Sequence, residues 1–185
     1  MITREFLYTD GVRRCAAFLR ANGYKLPVYS TTRPPRSVAL LPGECLAGVY
    51  QGGRCWVALQ ATALPNNAHW PCWKTDRTAV GVAAHETGHY IADVLRAQVP
   101  IAVWKQWLAD NRTKLVSGYE PTPHESLAET LRLFILNPAL LEAAVPWRFA
   151  FCTETMGLRL TERRSWRVVL GNAELAKRAE RWVRA

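Results

Sequence analysis

The chain has 185 residues, 49% of them hydrophobic and eight of them Trp, with a formal net charge of +9. That length and apolar content exclude a disordered tail and fit one domain with a hydrophobic core. No run approaches the roughly eighteen apolar residues of a membrane helix. The start, Met1-Ile2-Thr3-Arg4-Glu5, lacks the apolar centre of a signal peptide, so a cytoplasmic protein without a membrane partner is expected.

The basic excess lies in the two ends, residues 1–36 and 147–185, with a nearly neutral stretch between them. Basic ends suit contact with nucleic acid, an acidic partner or a membrane surface, although a solvated arginine-rich helix face is the commoner origin. The five cysteines, at 15, 45, 55, 72 and 152, include no C-x-x-C pair, and an odd number cannot close entirely into intrachain disulfides. They read as reduced, mostly buried thiols.

In chain order, Val12, Cys15, Ala16 and Leu19 recur at helical spacing and predict a helix over 10–21, stopped by Gly23 and packed on the outside of a sheet. Residues 26–30 are a short strand candidate, and Thr31-Thr32-Arg33-Pro34-Pro35-Arg36 an exposed basic loop. Two β-like runs, 46–51 and 54–59, flank Gly52-Gly53, which signals a hairpin. A two-residue turn there sets Cys55 opposite Tyr50 and leaves Cys45 out of register for a disulfide. Residues 63–74, with Pro65, Asn66, Asn67 and Pro71, read as a loop walling a cleft.

The apolar segment 80–95 carries His85-Glu86-Thr87-Gly88-His89, in the order H-E-x-x-H. Residues four apart share a helix face about one turn apart, so His85 and His89 can direct two imidazoles at one ion. Glu86 is placed to take a proton from metal-bound water rather than to bind beside both histidines. By composition alone a chance match is expected in about one such chain in two hundred. Apolar residues at 80, 83, 84, 91, 94 and 95 give the helix a buried face, and Thr75 or Asp76 is its expected N-cap. The bland alternative, a core helix with two satisfied histidines, leaves a costly buried Glu.

Downstream, Pro100 opens a helix over 101–114 whose stripe of Ile101, Trp104, Trp107 and Leu108 reads as core. Residues 116–121 form a turn, and Thr122-Pro123-His124-Glu125 begins a helix to about 136 that Asn137-Pro138 ends, starting a short fourth one. Residues 147–185 contain Gly157, a segment led by Thr161 and a last helix capped by Asn172, with no chemistry of their own. No repeat or linker argues for a second domain.

Two histidines leave a zinc ion short of ligands, because catalytic sites use three protein groups plus water. The metzincin extension would need Gly and His where Ala92 and Leu95 stand. The candidates left are Asp93, Glu120, His124, Glu125 and Glu129.

These pieces resemble the gluzincin zinc metallopeptidases, most closely the compact branch of lethal-factor-type toxin proteases and small peptidases of phages and mobile elements. His85-Glu86-Thr87-Gly88-His89 is similar to that branch's H-E-x-G-H helix, and Ser117-Gly118-Tyr119 with Glu125-Ser126-Leu127-Ala128-Glu129 is similar to its S-x-Y…E-x-(F/L)-A-E segment. The likeness spans about residues 46–138. It implies that Glu125 is the third zinc ligand, that Glu129 is the acceptor holding a ligand histidine, and that Tyr119 donates to the oxyanion. The interval from Tyr119 to Glu125 is one residue shorter than in the family, and Leu127 replaces a commoner aromatic.

The expected fold is α+β and zincin-like, one domain over 1–185 with an N-terminal helix and loop (1–45), a catalytic core (46–138) and a helical part (139–185). Its core would pack a small antiparallel sheet on a mainly helical body. The expected activity is zinc-dependent hydrolysis of a protein or peptide substrate, with Glu86 as general base and the hairpin edge pairing with the substrate backbone. The alternatives are a zinc-stapled binding protein, a nucleic-acid-associated regulator using the basic ends and, for Glu125, a mere capping box with Thr122.

Overall fold

The computed structural model describes residues 2–32, 46–64, 76–96, 116–120 and 122–161, with the single positions 102, 105, 107, 109, 177, 180 and 181. They form a mixed α+β arrangement, mostly helical, with a small three-stranded sheet. The first helix, α1 (Arg4–Ala21), begins six residues earlier than its apolar spacing predicts, because the Thr3 hydroxyl accepts from Phe6 N–H and caps it. It ends at Asn22, and Gly23 follows with φ of 73°.

The predicted position of α1 outside the sheet is corrected: α1 lies mainly along α2 (Ala79–Leu95). A methyl group on Gly11 would meet Val80 Cα at 2.9 Å, so the backbones of the two helices touch there. Leu7, Cys15, Phe18 and Leu19 follow the same buried line as Gly11.

The sheet comprises β1 (Val28–Ser30), β2 (Gly48–Gln51) and β3 (Arg54–Val57) in the order β1-β3-β2. Around Gly52 and Gly53, with φ of 54° and 79°, β2 and β3 pair antiparallel and Tyr50 stands opposite Cys55, the register expected for this hairpin. β1 runs parallel to β3, with Tyr29 opposite Cys55, so the sheet is mixed rather than antiparallel. No tight turn joins β1 to its neighbour, and the long connection to β2 leaves it free to enter in the parallel sense.

The N-cap of α2 is Thr78, whose hydroxyl accepts from Gly81 N–H at 3.1 Å. Asp76 instead accepts from the N–H and hydroxyl of Thr78, at 2.9 and 2.8 Å, bracing the cap from behind. Thr75, the other predicted cap, lies outside the described residues.

The next described helix, α3 (Pro123–Leu136), has Pro in its first turn and Thr122 as N-cap. Asn137 ends it and opens α4 (Pro138–Ala144). The sequence reading did not include α5 (Pro146–Ala150), started by another proline and continued by a wide turn over Phe151–Thr155.

The main core lies between α1, α2, α3 and α4, with Phe18, Ile91, Leu131, Phe134 and Leu141 each at most 1% exposed. Burying such side chains contributes about 1.5–3 kcal/mol each. Trp107 joins this core, as its stripe predicts. A smaller cluster of Leu7, Val57, Ala79, Val82 and Ala83 packs beneath the sheet.

Cys15, Cys55 and Cys152 are buried free thiols, and burial pushes each of them up from the ordinary thiol range. No helix among the described residues is long and apolar enough to cross a membrane. Cys45, Cys72, most of the basic loop, most of the loop over 63–74, and most of the helices predicted over 101–114 and after Asn172 lie outside the described residues.

Candidate metal centre

Helical spacing brings His85 and His89 to one face of α2, their Nε2 atoms 3.0 Å apart. Glu125 enters from the first turn of α3, its Oε2 3.0 Å from His85 Nε2 and 3.4 Å from His89 Nε2. The approach depends on Gly88, where a methyl group would meet the Ala128 carbonyl oxygen at 2.7 Å. Thr122 fixes the start of α3 by accepting from Glu125 N–H at 3.2 Å. The backbone of Glu125 is thus capped while its carboxylate turns to the histidines.

One turn further along α3, Glu129 accepts a hydrogen bond from His85 Nδ1 at 2.7 Å. Arg132 grips the same carboxylate with two nitrogens, each at 2.9 Å. Burial pushes the Glu129 carboxyl up, but Arg132 and His85 outweigh it and hold the group well below the usual carboxylate range. An ionised carboxylate only accepts, so His85 Nδ1 carries a proton and Nε2 is the nitrogen left to bind an ion.

The donor chemistry fits a cation. Glu125 Oε2 is buried and makes no well-directed hydrogen bond, although both Nε2 atoms face it. Burial pushes Glu125 up, yet the two imidazoles hold it well below its ordinary value. Burial likewise pulls His85 down, but Glu125 and Glu129 outweigh it and lift the imidazole to about 10, so without an ion a proton fills the gap. The ligand atoms of His85, His89 and Glu125 all lie within 4.8 Å of one another, and the three residues could hold a metal ion.

Glu86 stands beside this set without belonging to it. It is 5% exposed, and burial pushes its carboxyl up to about 7 with His85 opposing. The Tyr50 backbone N–H bonds it, so β2 passes directly over the acid. Gly48 permits that passage: any Cβ there would run into Val82 and come within 2.6 Å of Glu86 Oε1.

A cleft of about 640 Å³ opens above the donors, with Leu46 to Tyr50 along one side and Tyr119, His124 and Arg77 among its other lining residues.

The chain matches no family model, no curated protein and no solved structure. Of the five candidates for the third ligand, only Glu125 joins the donor set. Asp93 accepts from the Tyr50 hydroxyl at 2.9 Å. Glu120 is engaged by Val116 and Ser117 N–H groups, Ser126 and Arg148. His124 stacks on His89, with ring centroids 4.4 Å apart and planes at 19°. Glu129 reaches His85 from behind.

The Tyr119 ring lies 5.8 Å from the His85 ring and is raised above its ordinary pKa by burial and by Glu125. Arg132 escaped the sequence reading, which gave Asp76 only as a helix cap. Asp76 Oδ2 lies 3.9 Å from Arg132 Nη1, and burial pushes its carboxyl up to about 6 with Arg132 opposing. The spacing of Glu129 and Arg132, three apart on one helix, was the available signal for their pairing.

Proposed function

We propose that the chain is a zinc-dependent peptidase of gluzincin type, with His85, His89 and Glu125 as the metal ligands. The observation that carries this reading is Glu86: a buried carboxyl of about 7, on the helix of two donors and lining their cleft, yet not needed to hold the ion. A structural staple has no use for such a group, whereas a general base needs a pKa near the working pH.

Zinc held there would supply a Lewis acid and lower the pKa of the attacking water to about 7. Glu86, which is not among the ligands, would take a proton from a water in the cleft and deliver it to the leaving amine. Tyr119, whose ring stands beside that of His85 and lines the cleft, would donate to the developing oxyanion. β2, an edge strand of the described sheet, pairs with an extended peptide backbone and makes binding tolerant of side chains.

The test is Glu86→Gln, which keeps size and hydrogen bonding but removes the base. The variant should retain about one zinc per chain while peptide hydrolysis falls by about 10²- to 10⁴-fold. A wild type that holds no zinc when supplied with it, or equal cleavage by both proteins, sinks the reading.

A further inference from the structure

We propose that Arg148, in α5 and outside the metal-binding helices, is the positioning residue that locks Tyr119 beside the metal centre, acting through the Glu120 carboxylate. The catalytic consequence rests on the peptidase reading, whereas the mechanical claim does not.

Tyr119 is 46% exposed and sits in the loop between Val116 and Glu120, so its place depends on what holds that loop. The loop is closed on itself by one carboxylate. Glu120 Oε1 accepts from Val116 N–H at 2.5 Å and from Ser117 N–H at 2.8 Å, and the Ser117 hydroxyl accepts from Tyr119 N–H at 3.0 Å. Glu120 Oε2 accepts from the hydroxyl of Ser126, the residue after Glu125, and from Arg148 Nη1 at 2.9 Å. One side chain thus joins the Tyr119 loop to the helix that carries the third donor.

Arg148 meets that carboxylate in a dry place. Both side chains are 0% exposed. Nη1 also donates to the Thr130 hydroxyl at 3.0 Å, which donates to the Ser126 carbonyl at 2.8 Å. The guanidinium carbon stands 5.4 and 5.2 Å from the ring centroids of Trp107 and Trp147. A buried ion pair is a weak source of stability, since well-packed apolar residues often replace one without loss. An apolar pair, however, could not accept the two loop N–H groups. The arrangement makes sense as a geometric constraint on the loop.

The full-length zinc-loaded chain tests this with Arg148→Met and Arg148→Lys, the second keeping the charge in case the first does not fold. Amide hydrogen exchange at Val116, Ser117 and Tyr119 should quicken by about tenfold or more in Arg148→Met, and less in Arg148→Lys, while the amides of α2 and α3 keep their protection. Turnover in Arg148→Met should fall by about 10²-fold, as in Tyr119→Phe, with KM and zinc content unmoved. In a Tyr119→Phe background the Arg148 change should cost nothing more.

Loop amides as protected as in the wild type, protection lost equally across α2 and α3, or an additive fall in the double variant would each overturn the proposal. A wild type that cleaves no peptide would defeat the peptidase reading instead. The exchange result then decides the positioning by itself.

Discussion

Two carboxylates, Glu129 and Glu120, are each buried against an arginine, and the difference between them separates electrostatics from geometry in this site. Glu129 pairs with Arg132 on its own helix, three residues away. Helix geometry alone presents that pair, and its free side faces His85. Glu120 pairs with Arg148, 28 residues along the chain and in another helix, and its other bonds go to a loop and to Ser126 of α3. The first pair fixes the proton and lone pair of a donor. The second fixes where a loop sits. Similar ingredients give a charged backing plate beneath the donors and a tie between segments.

The comparison breaks most completely at Glu125, the only acid of the five candidates that joins the donor set. Glu125→Ala removes a donor, so zinc affinity should fall by orders of magnitude, as measured by titration against a competing chelator. Because the Thr122 hydroxyl caps the Glu125 N–H, Ala keeps the cap. Any loss of stability in the metal-free protein comes from the carboxylate's lost contacts with His85 and His89 rather than from the helix start. Intact zinc binding would show that the ligand lies elsewhere.

A smaller effect sharpens the contrast. Glu129→Gln keeps an acceptor for His85 but weakens the grip of Arg132, so zinc affinity should fall by about 10- to 100-fold. Glu120→Gln should leave zinc affinity near the wild-type value and act on the Tyr119 loop instead. If both variants lose zinc equally, the two pairs are one network and the division fails.

What was legible in the sequence was local. His85, Glu86 and His89 need only the helical period, and the Tyr50–Cys55 register needs only the two-glycine turn. The third donor was not decided by pattern. Five side chains qualified, and what separates them is where Asp93 and Glu120 spend their bonds, on Tyr50 and Arg148. Only the likeness of Glu125 to a family segment pointed at it. The N-cap moved to Thr78 because two capping residues stand within three positions, and a pattern cannot say which one bends back to brace the other. The parallel entry of β1 and the packing of α1 on α2 depend on partners distant in sequence. Gly11 acquires meaning only with Val80 opposite.

Gly88 should show the smallest effect, and it links the two regions. It is one of the unspecified positions of the H-E-x-x-H motif, yet it faces the backbone of α3, where a methyl group would meet the Ala128 oxygen at 2.7 Å and Cα at 3.0 Å. Backbone cannot swing aside as a flexible side chain can, so in Gly88→Ala the two helices must separate by some tenths of an ångström. Such overpacking costs about 1–3 kcal/mol, and the better helix propensity of Ala returns at most about 1 kcal/mol. The expected outcome is a modest net loss in the thermal unfolding of the metal-free protein. Glu125 and Glu129 flank Ala128 on α3, and both meet His85, so separation lengthens their contacts with it. Zinc affinity should therefore fall too, by less than in Glu129→Gln, whereas Arg132 remains on Glu129 because both ride the same helix. A Gly88→Ala protein with unchanged zinc affinity and raised stability would mean that the helices absorb the methyl, and that the spacing of the donors is set elsewhere.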